Sequence, residues 1–264
     1  MTSSNKDRPG FPLGFEEAQA SYSSSAQVAR VATEAFVKAT AFCPACGHDA
    51  LSQQFNNRPA SDFVCPHCSE EYELKSKNGK FGGKVVDGSY DTLCSRLTSD
   101  TNPNFAFLSY SRAERSVTDL FVIPKHFVHP AIIERRKPLA ASARRAGWVG
   151  CNIRLSEVPE RGKVFVIRGG VLSDKVDVLG QWQQSLFLRD EKPEARGWLL
   201  DVLRCCEVIG KAEFTLDEVY RFEARLSSIY PGNNNVRPKI RQQLQVLRDV
   251  GILDFVGRGR YRLV

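Results

Sequence analysis

The chain has 264 residues, 42% hydrophobic and 25% charged, the composition of a globular protein with one large domain or two ordinary ones. No apolar run approaches a membrane span and no basic-then-apolar leader opens the chain, so membrane and exported classes are set aside and no membrane partner is expected. The net charge of +7 favours a polyanionic partner if the basic residues cluster; spread evenly, they would only solvate the surface.

Residues 1–26 are polar and rich in Ser, and a flexible N-terminal arm is expected there. From Gln27 to Lys38, Val28, Val31, Ala32, Ala35 and Phe36 recur at helical spacing. Glu34 lies off that apolar face and reads as a solvated glutamate, with a site carboxylate as the alternative.

Cys43-Pro44-Ala45-Cys46 and Cys65-Pro66-His67-Cys68 follow, a C-x2-C-x18-C-x2-C pattern within the spacing of a four-thiolate structural zinc site. Pro and Gly in and beside the pairs suit tight knuckles that aim both sulfurs at one metal. Two redox dithiols would not account for two similar knuckles. Four thiolates close the coordination shell, which makes His48 and His67 bystanders and the zinc structural. The other four of the eight cysteines, Cys94, Cys151, Cys205 and Cys206, lie scattered in apolar contexts, which fits a reducing compartment better than a disulfide framework.

If the second knuckle is a tight turn, its flanks can pair as a hairpin. Strand alternation then puts Glu71, Glu73, Lys75 and Lys77 on one face, with Tyr72 and Leu74 on the other. Asp62 joins the first face if its partner is Glu71 or Glu73; sequence leaves the register open. Two carboxylates and an ammonium converging there make a hard-cation site beside a phosphate. Such a cation, Mg2+, would activate water and relieve charge on phosphoryl oxygens. Lys75 would orient or deprotonate the water, or stabilise the phosphate. By itself Asp-x10-Glu-x-Lys is a weak signal, because charged strand faces are common.

Further on, Ser89 to Leu97 reads as a helix, and Phe105 to Tyr110, Leu120 to Ile123 and Val164 to Ile167 as strands, giving an α/β or α+β core. Between the last two strands, Arg135-Arg136-Lys137 to Arg144-Arg145-Ala146-Gly147-Trp148 is a basic segment ending in an aromatic. Arg144 and Arg145 suit a phosphate backbone, and Trp148 suits either base contact or a core anchor.

Residues 189–196 read as a polar, proline-bearing linker, dividing residues 27–188 from residues 197–264. The last stretch opens with a helix around Trp198, Leu199, Val202 and Leu203. A second helix starts with a Thr215–Glu218 capping box and a Phe214–Val219 staple. A third carries Val236, Ile240, Leu244 and Leu247, and a hairpin turns at Gly257-Arg258-Gly259. Three helices and a hairpin make a winged helix. Arg237, Lys239 and Arg241 on its third helix and Arg258 and Arg260 on its wing are what a helix in the major groove with a flanking wing needs. A winged helix that docks protein is the alternative.

The segments Asn57-Arg58-Pro59-Ala60-Ser61-Asp62, Cys68 to Lys77, Ala143 to Trp148 and Lys239 to Asp249 resemble the DpnI-type methyl-directed restriction endonucleases, from about Val28 to the C-terminus. The resemblance implies a PD-(D/E)XK nuclease core with an inserted zinc site and a C-terminal winged helix. It implies cleavage of duplex DNA at GATC only when the adenine carries an N6-methyl group, with both domains reading the site, in the cytoplasm of a bacterial cell as part of restriction-modification. Asp62 and Glu73 match the metal-binding carboxylates, Lys75 the lysine, and the Leu74 carbonyl a third Mg2+ ligand. Ser61, where the motif has proline, departs from the literal Pro-Asp pair without touching the chemistry. A monomer, or a transient dimer on DNA, would meet a palindromic target. A non-catalytic zinc and winged-helix reader of DNA is the rival reading, because it needs the charge and both modules but not Asp62, Glu73 and Lys75 together.

Overall fold

The computed structural model describes residues 11–14, 24–54, 61–99 and 101–264. The chain forms two compact units, one of residues 1–81, 102–125 and 163–184, the other of residues 82–101, 126–162 and 185–264. Among the described residues no helix is long and apolar enough to cross a membrane.

The first unit is built on β6 (Asn104–Ser111), whose run NFAFLSYS is buried at every position but the last. Such a near-continuous apolar run belongs to a strand covered on both faces. β4 (Glu71–Asn78) pairs with it in parallel, Tyr72 opposite Asn104 through Asn78 opposite Tyr110. β7 (Ser116–Ile123) pairs antiparallel on its other side. With β2 (Ser52–Gln53), β3 (Phe63–Val64), β10 (Val164–Arg168) and β11 (Val171–Leu172), the sheet runs β11-β10-β7-β6-β4-β3-β2. Phe81 meets the Phe107 ring edge-on at 5.3 Å, Phe107 stacks on Phe121 at 5.1 Å, and Phe165 lies tilted against Phe121 at 5.1 Å. α1 (Ser25–Thr40) packs along β4 and β2, and α3 (Lys175–Gln183) packs on β10.

The expected arm is fixed in part. β1 (Phe11–Pro12) pairs with β7, and Phe11 meets the Phe36 ring of α1 edge-on at 6.2 Å. The rest of the arm, residues 1–10 and 15–23, lies outside the described residues, as do Asn57 to Ala60.

The second unit contains a small sheet, β5 (Val85–Ser89), β9 (Gly150–Ile153) and β8 (Ile133–Arg135), that the sequence reading did not anticipate. Ser89 caps α2 (Tyr90–Thr98) by accepting from the Thr92 N–H. The C-terminal helices follow. α4 (Pro193–Ile209) has proline in its first turn and ends at Gly210, whose φ of +69° is the left-handed conformation glycine adopts at no steric cost. α4 therefore starts inside the stretch read as a linker, and Arg196 there is buried. Trp198, Leu199, Val202 and Leu203 are buried as α4 packs on α7 (Val236–Asp249), whose Val236, Ile240, Leu244 and Leu247 form its apolar stripe. Between them, the second helix is split into α5 (Leu216–Tyr220) and α6 (Glu223–Ile229), and the Thr215–Glu218 capping box is formed in both directions. β13 (Leu253–Gly257) and β14 (Arg260–Leu263) are the expected hairpin, extended by β12 (Glu213–Thr215) on β14. This set of helices also holds the small sheet's flank: Arg225 pairs with Glu157, Arg204 Nε donates to the Ser156 carbonyl at 2.8 Å, and Glu207 accepts from the Glu160 N–H at 2.9 Å.

Candidate metal centres and nucleic-acid interface

The two knuckles have matching backbones. Gly47 N–H donates to the Cys43 carbonyl and Ser69 N–H to the Cys65 carbonyl, at 2.8 and 2.9 Å, and the two donors have φ of +77° and +60°. Ser69 holds a left-handed conformation that a non-glycine residue adopts seldom, and it does so where the knuckle must close. The Cys43, Cys46, Cys65 and Cys68 sulfurs all lie within 4.8 Å of one another. Cys43–Cys68 and Cys46–Cys65 are each separated by 3.6 Å. That spacing is far beyond a disulfide's and close to the edge of a tetrahedron with Zn–S bonds of about 2.3 Å. The donor set and its geometry fit zinc.

Burial pushes the Cys43 thiol up to about 11, so metal binding there must release protons. The Tyr72 hydroxyl lies 3.1 Å from the Cys43 sulfur and can donate to it. Such an outer-shell bond orients a thiolate ligand. Sequence reasoning assigned Tyr72 only to a face. His48 and His67 stack with centroids 5.9 Å apart and take no place among the four sulfurs.

The second knuckle also sets the acidic pair. Phe63 is opposite Tyr72 and Val64 opposite Glu71, which brings Asp62, the residue before β3, beside the Tyr72–Leu74 stretch of β4. Asp62 continues the pairing by donating its N–H to the Tyr72 carbonyl at 2.9 Å. Its Oδ2 accepts from the Leu74 N–H at 2.7 Å. Lys75 Nζ meets Glu73 Oε1 at 2.5 Å, both side chains about one-fifth exposed. Nζ also stands 6.0 Å over the Phe105 ring. The three residues named from sequence are thus close along one strand, Asp62 bonded to the β4 main chain at Tyr72 and Leu74, on either side of Glu73, and Lys75 paired with Glu73. Carboxylate oxygens are the donors a hard divalent cation takes, and Asp62 keeps Oδ1 for one beyond its main-chain bond. The set fits Mg2+.

A neighbouring clip fixes β4. Asn104 Nδ2 donates to Glu70 Oε2 and to the Glu71 carbonyl, both at 2.9 Å, while its Oδ1 accepts from the Lys125 N–H at 2.9 Å. A buried asparagine at the head of an apolar strand was the available signal, and it was passed over.

Glu34 differs from its reading as a solvated residue. It is 8% exposed, accepts from Arg30 Nε at 2.6 Å and from Gln53 Nε2 at 2.9 Å, and so ties α1 to β2. The i,i+4 spacing of Arg30 and Glu34 was the legible sign.

The basic residues lie on two kinds of support. β8 and β9 are joined by a loop in which the Leu139 N–H donates to the Trp148 carbonyl at 2.9 Å and the Gly147 N–H to the Leu139 carbonyl at 3.0 Å. Arg144 and Arg145 are exposed on it, and the Arg145 guanidinium lies 4.7 Å over the half-buried Trp148 ring. Trp148 thus lies at the loop base, against Gly150 and beneath the Arg145 guanidinium.

On α7, Arg237 pairs with Glu223 at 2.8 Å and covers the Tyr220 ring at 4.9 Å. Arg241 donates to the Tyr220 hydroxyl at 3.1 Å and Lys239 to Gln242 at 3.0 Å. On the wing, Arg258 is exposed at the turn, whereas Arg260 and Arg262 both pair with Glu213.

The comparison with family models matches this layout along the chain. Residues 13–191 match the DpnI model, described as the Dam-replacing family, and residues 194–263 match the DpnI_C model, a Dam-replacing HTH domain. These are methyl-dependent, restriction-type DNA-binding proteins, and the two matches together span almost all of the described residues. The chain belongs to the Dam-replacing family of DpnI-type proteins.

Proposed function

We propose that this protein is a methyl-dependent type II restriction endonuclease, hydrolysing phosphodiester bonds of duplex DNA at GATC sites whose adenine carries an N6-methyl group. The observation that supports the catalytic part is the bond of the Asp62 carboxylate to the Leu74 N–H of β4, between Glu73 and Lys75, which are themselves paired. Asp62, Glu73 and the Leu74 carbonyl would hold Mg2+, as in a PD-(D/E)XK site. Bound there, the ion supplies a Lewis acid for a phosphoryl oxygen and lowers the pKa of a bound water.

The chain's own residues do the rest. The Leu74 N–H fixes the Asp62 carboxylate, so its second oxygen keeps one direction. Lys75 holds Glu73 in place before DNA arrives and then offers Nζ to the attacking water or to the charge developing on the phosphate.

The division of labour we assign is a nuclease domain in residues 27–188, a connection in 189–196 and a winged-helix reader in 197–264. Cys43, Cys46, Cys65 and Cys68 would hold a structural zinc that ties the proposed catalytic hairpin closed. Arg144, Arg145 and Trp148 would approach the backbone or bases from one support, and Arg237, Lys239, Arg241, Arg258 and Arg260 from the other, with the protein acting as a monomer or a transient dimer in the bacterial cytoplasm. An N6-methyl is a small apolar group in the major groove, and one such group gives about 1–3 kcal/mol of discrimination, so reading it in two places multiplies selectivity.

The test is digestion, with Mg2+, of two plasmid preparations that differ only in adenine methylation at GATC, beside a Glu73→Ala control. Fragments from the methylated preparation only, lost in the variant, are expected. Cleavage of both would discard the methyl dependence, and binding without cleavage would favour a non-catalytic reader.

A further inference from the structure

The face of β4 that carries Glu73 and Lys75 continues past them. Partners on β6 fix which side chains share it: Glu73 is opposite Phe105, Lys75 opposite Phe107 and Lys77 opposite Ser109. Alternation therefore places Glu73, Lys75 and Lys77 on one side of the strand, with Leu74 and Ser76 on the other. Exposure rises along the row. The Glu73 and Lys75 side chains are about one-fifth exposed, whereas Lys77 is exposed.

The outer edge of β4 opens at the same place. β3 pairs with it only at Glu71 and Tyr72, and Asp62 extends that cover to the Leu74 N–H. Beyond Leu74 no strand among the described residues pairs with this edge, while β6 runs on beside β4 to Asn78. Just past Lys77 the Gly79 N–H donates to the Tyr110 carbonyl at 2.8 Å, and the chain turns at a φ of +78°. Lys77 is thus the last basic residue here whose direction the sheet sets.

Other lysines of the unit are committed. Lys75 pairs with Glu73, Lys125 Nζ with Glu70 at 3.5 Å and Lys175 Nζ with Asp49 at 2.6 Å. Lys77 has no carboxylate partner among the described residues. A paired ammonium must give up its carboxylate before it takes a phosphate, and Lys77 need not.

Two residues along a strand span roughly 6.6 Å. Neighbouring phosphates of one DNA strand rise about 3.4 Å along the axis while also winding round it, so the step between them is of comparable size. A phosphate held at Glu73 and Lys75 would leave the next one within reach of Lys77. We propose that Lys77 binds the phosphate adjacent to the scissile one on the strand being cut, and so sets the register of that strand on the metal site. This inference rests on the metal-dependent nuclease reading.

The test uses the full-length, zinc-loaded protein and a short duplex with one methylated GATC site, in which a single phosphate at a time is replaced by an uncharged methylphosphonate. In the parent, neutralising the phosphate next to the cut is expected to raise KM severalfold. Lys77→Ala should raise KM by as much on the unmodified duplex and leave kcat within about twofold. Its log–log salt slope of binding should be shallower by about one. Combined with the neutral phosphate, the variant should show no additional loss, because both changes remove the same contact. Lys77→Arg should restore KM. Lys38→Ala, which removes an equal charge from the exposed end of α1, should match the parent.

Additive losses at every neutralised position would reduce Lys77 to general surface charge, and a KM equal to the parent's would remove it from the DNA; either overturns the proposal. A fall in kcat at unchanged KM would place Lys77 in the chemistry and overturn it too. Thermal unfolding of Lys77→Ala should match the parent, since an exposed side chain leaves no cavity. Glu73→Ala separates this inference from the reading beneath it. If that variant cleaves as the parent does, or the parent cuts no methylated duplex, the nuclease site itself is wrong. If cleavage needs Glu73 but Lys77→Ala behaves as the parent, only the role of Lys77 fails.

Discussion

The β3–β4 hairpin and the C-terminal wing both display charge, but they treat it differently. At Asp62, Glu73 and Lys75 the groups are about one-fifth exposed or held by main-chain N–H groups, and each direction is set by strand register. On the wing and α7, Arg237, Arg260 and Arg262 are roughly half exposed or more and rest in ion pairs with Glu223 and Glu213. Partly buried charges at fixed positions interact through a lower effective dielectric, so one misplaced atom matters there. Exposed pairs are worth a fraction of a kcal/mol and exchange readily for phosphates. The first arrangement suits chemistry, and the second suits adaptable backbone contact.

That contrast can be broken at either end. The largest effect is expected at the hairpin: Glu73→Ala or Lys75→Ala should lower single-turnover cleavage of methylated duplex by at least about a thousandfold. DNA affinity should stay within a few-fold of the parent by gel shift. A small loss of rate would mean the fixed charges are not the reactive ones.

Next comes the zinc support. Tyr72→Phe removes the hydroxyl beside Cys43 and should weaken zinc about tenfold or more in competition with a chelator, with the fold retained. Unchanged zinc affinity would uncouple the β4 strand from the cluster.

A pH effect of intermediate size is expected in the second unit. His129 is fully buried, 3.9 Å from Asp201, and burial holds its imidazole below the ordinary value of 6.5, with Asp201 pulling the other way. The folded form therefore binds the proton less readily than the unfolded chain. The stability this contributes is fully present above pH 6.5 and is lost as pH falls below it. Thermal unfolding between pH 7.5 and 5.5 should show a falling midpoint that His129→Gln flattens.

The smallest effect is at the wing. Glu213→Gln should release Arg260 and Arg262 and tighten binding to unmethylated DNA a few-fold, with a log–log salt slope steeper by about one. No change in slope would show that the wing arginines do not reach phosphate.

Much of this was legible because local chemistry and global position coincide. The C-x2-C spacing gave the four sulfurs, and alternation along Glu71 to Lys75 gave the face shared by Glu73 and Lys75, since both depend on residues near in sequence. The capping box at Thr215 and the apolar stripe of α7 were read for the same reason. What sequence hid depends on distant partners. The approach of Asp62 to β4 depends on the strand pairing beside the second knuckle. Glu34 looked solvated because its neighbours on α1 say nothing of Gln53. The sheet of β5, β8 and β9 was missed because its strands are short and find their pairing partners far along the chain.

The parallel pairing of β4 with β6 has a consequence for how the protein is made. A parallel neighbour cannot be reached by a tight turn, and here the chain spends Gly82–Thr101 in the other unit before β6 begins at Asn104. The central sheet then waits for Val164–Arg168 to cover β7, and the second unit waits for the C-terminal helices. On the ribosome, the first unit cannot close before residue 184, nor the second before the C-terminal helices are made. A message broken before codon 163 would yield a chain lacking the β10 partner of β7, so the sheet that carries the proposed DNA-cutting site would be left with an open edge.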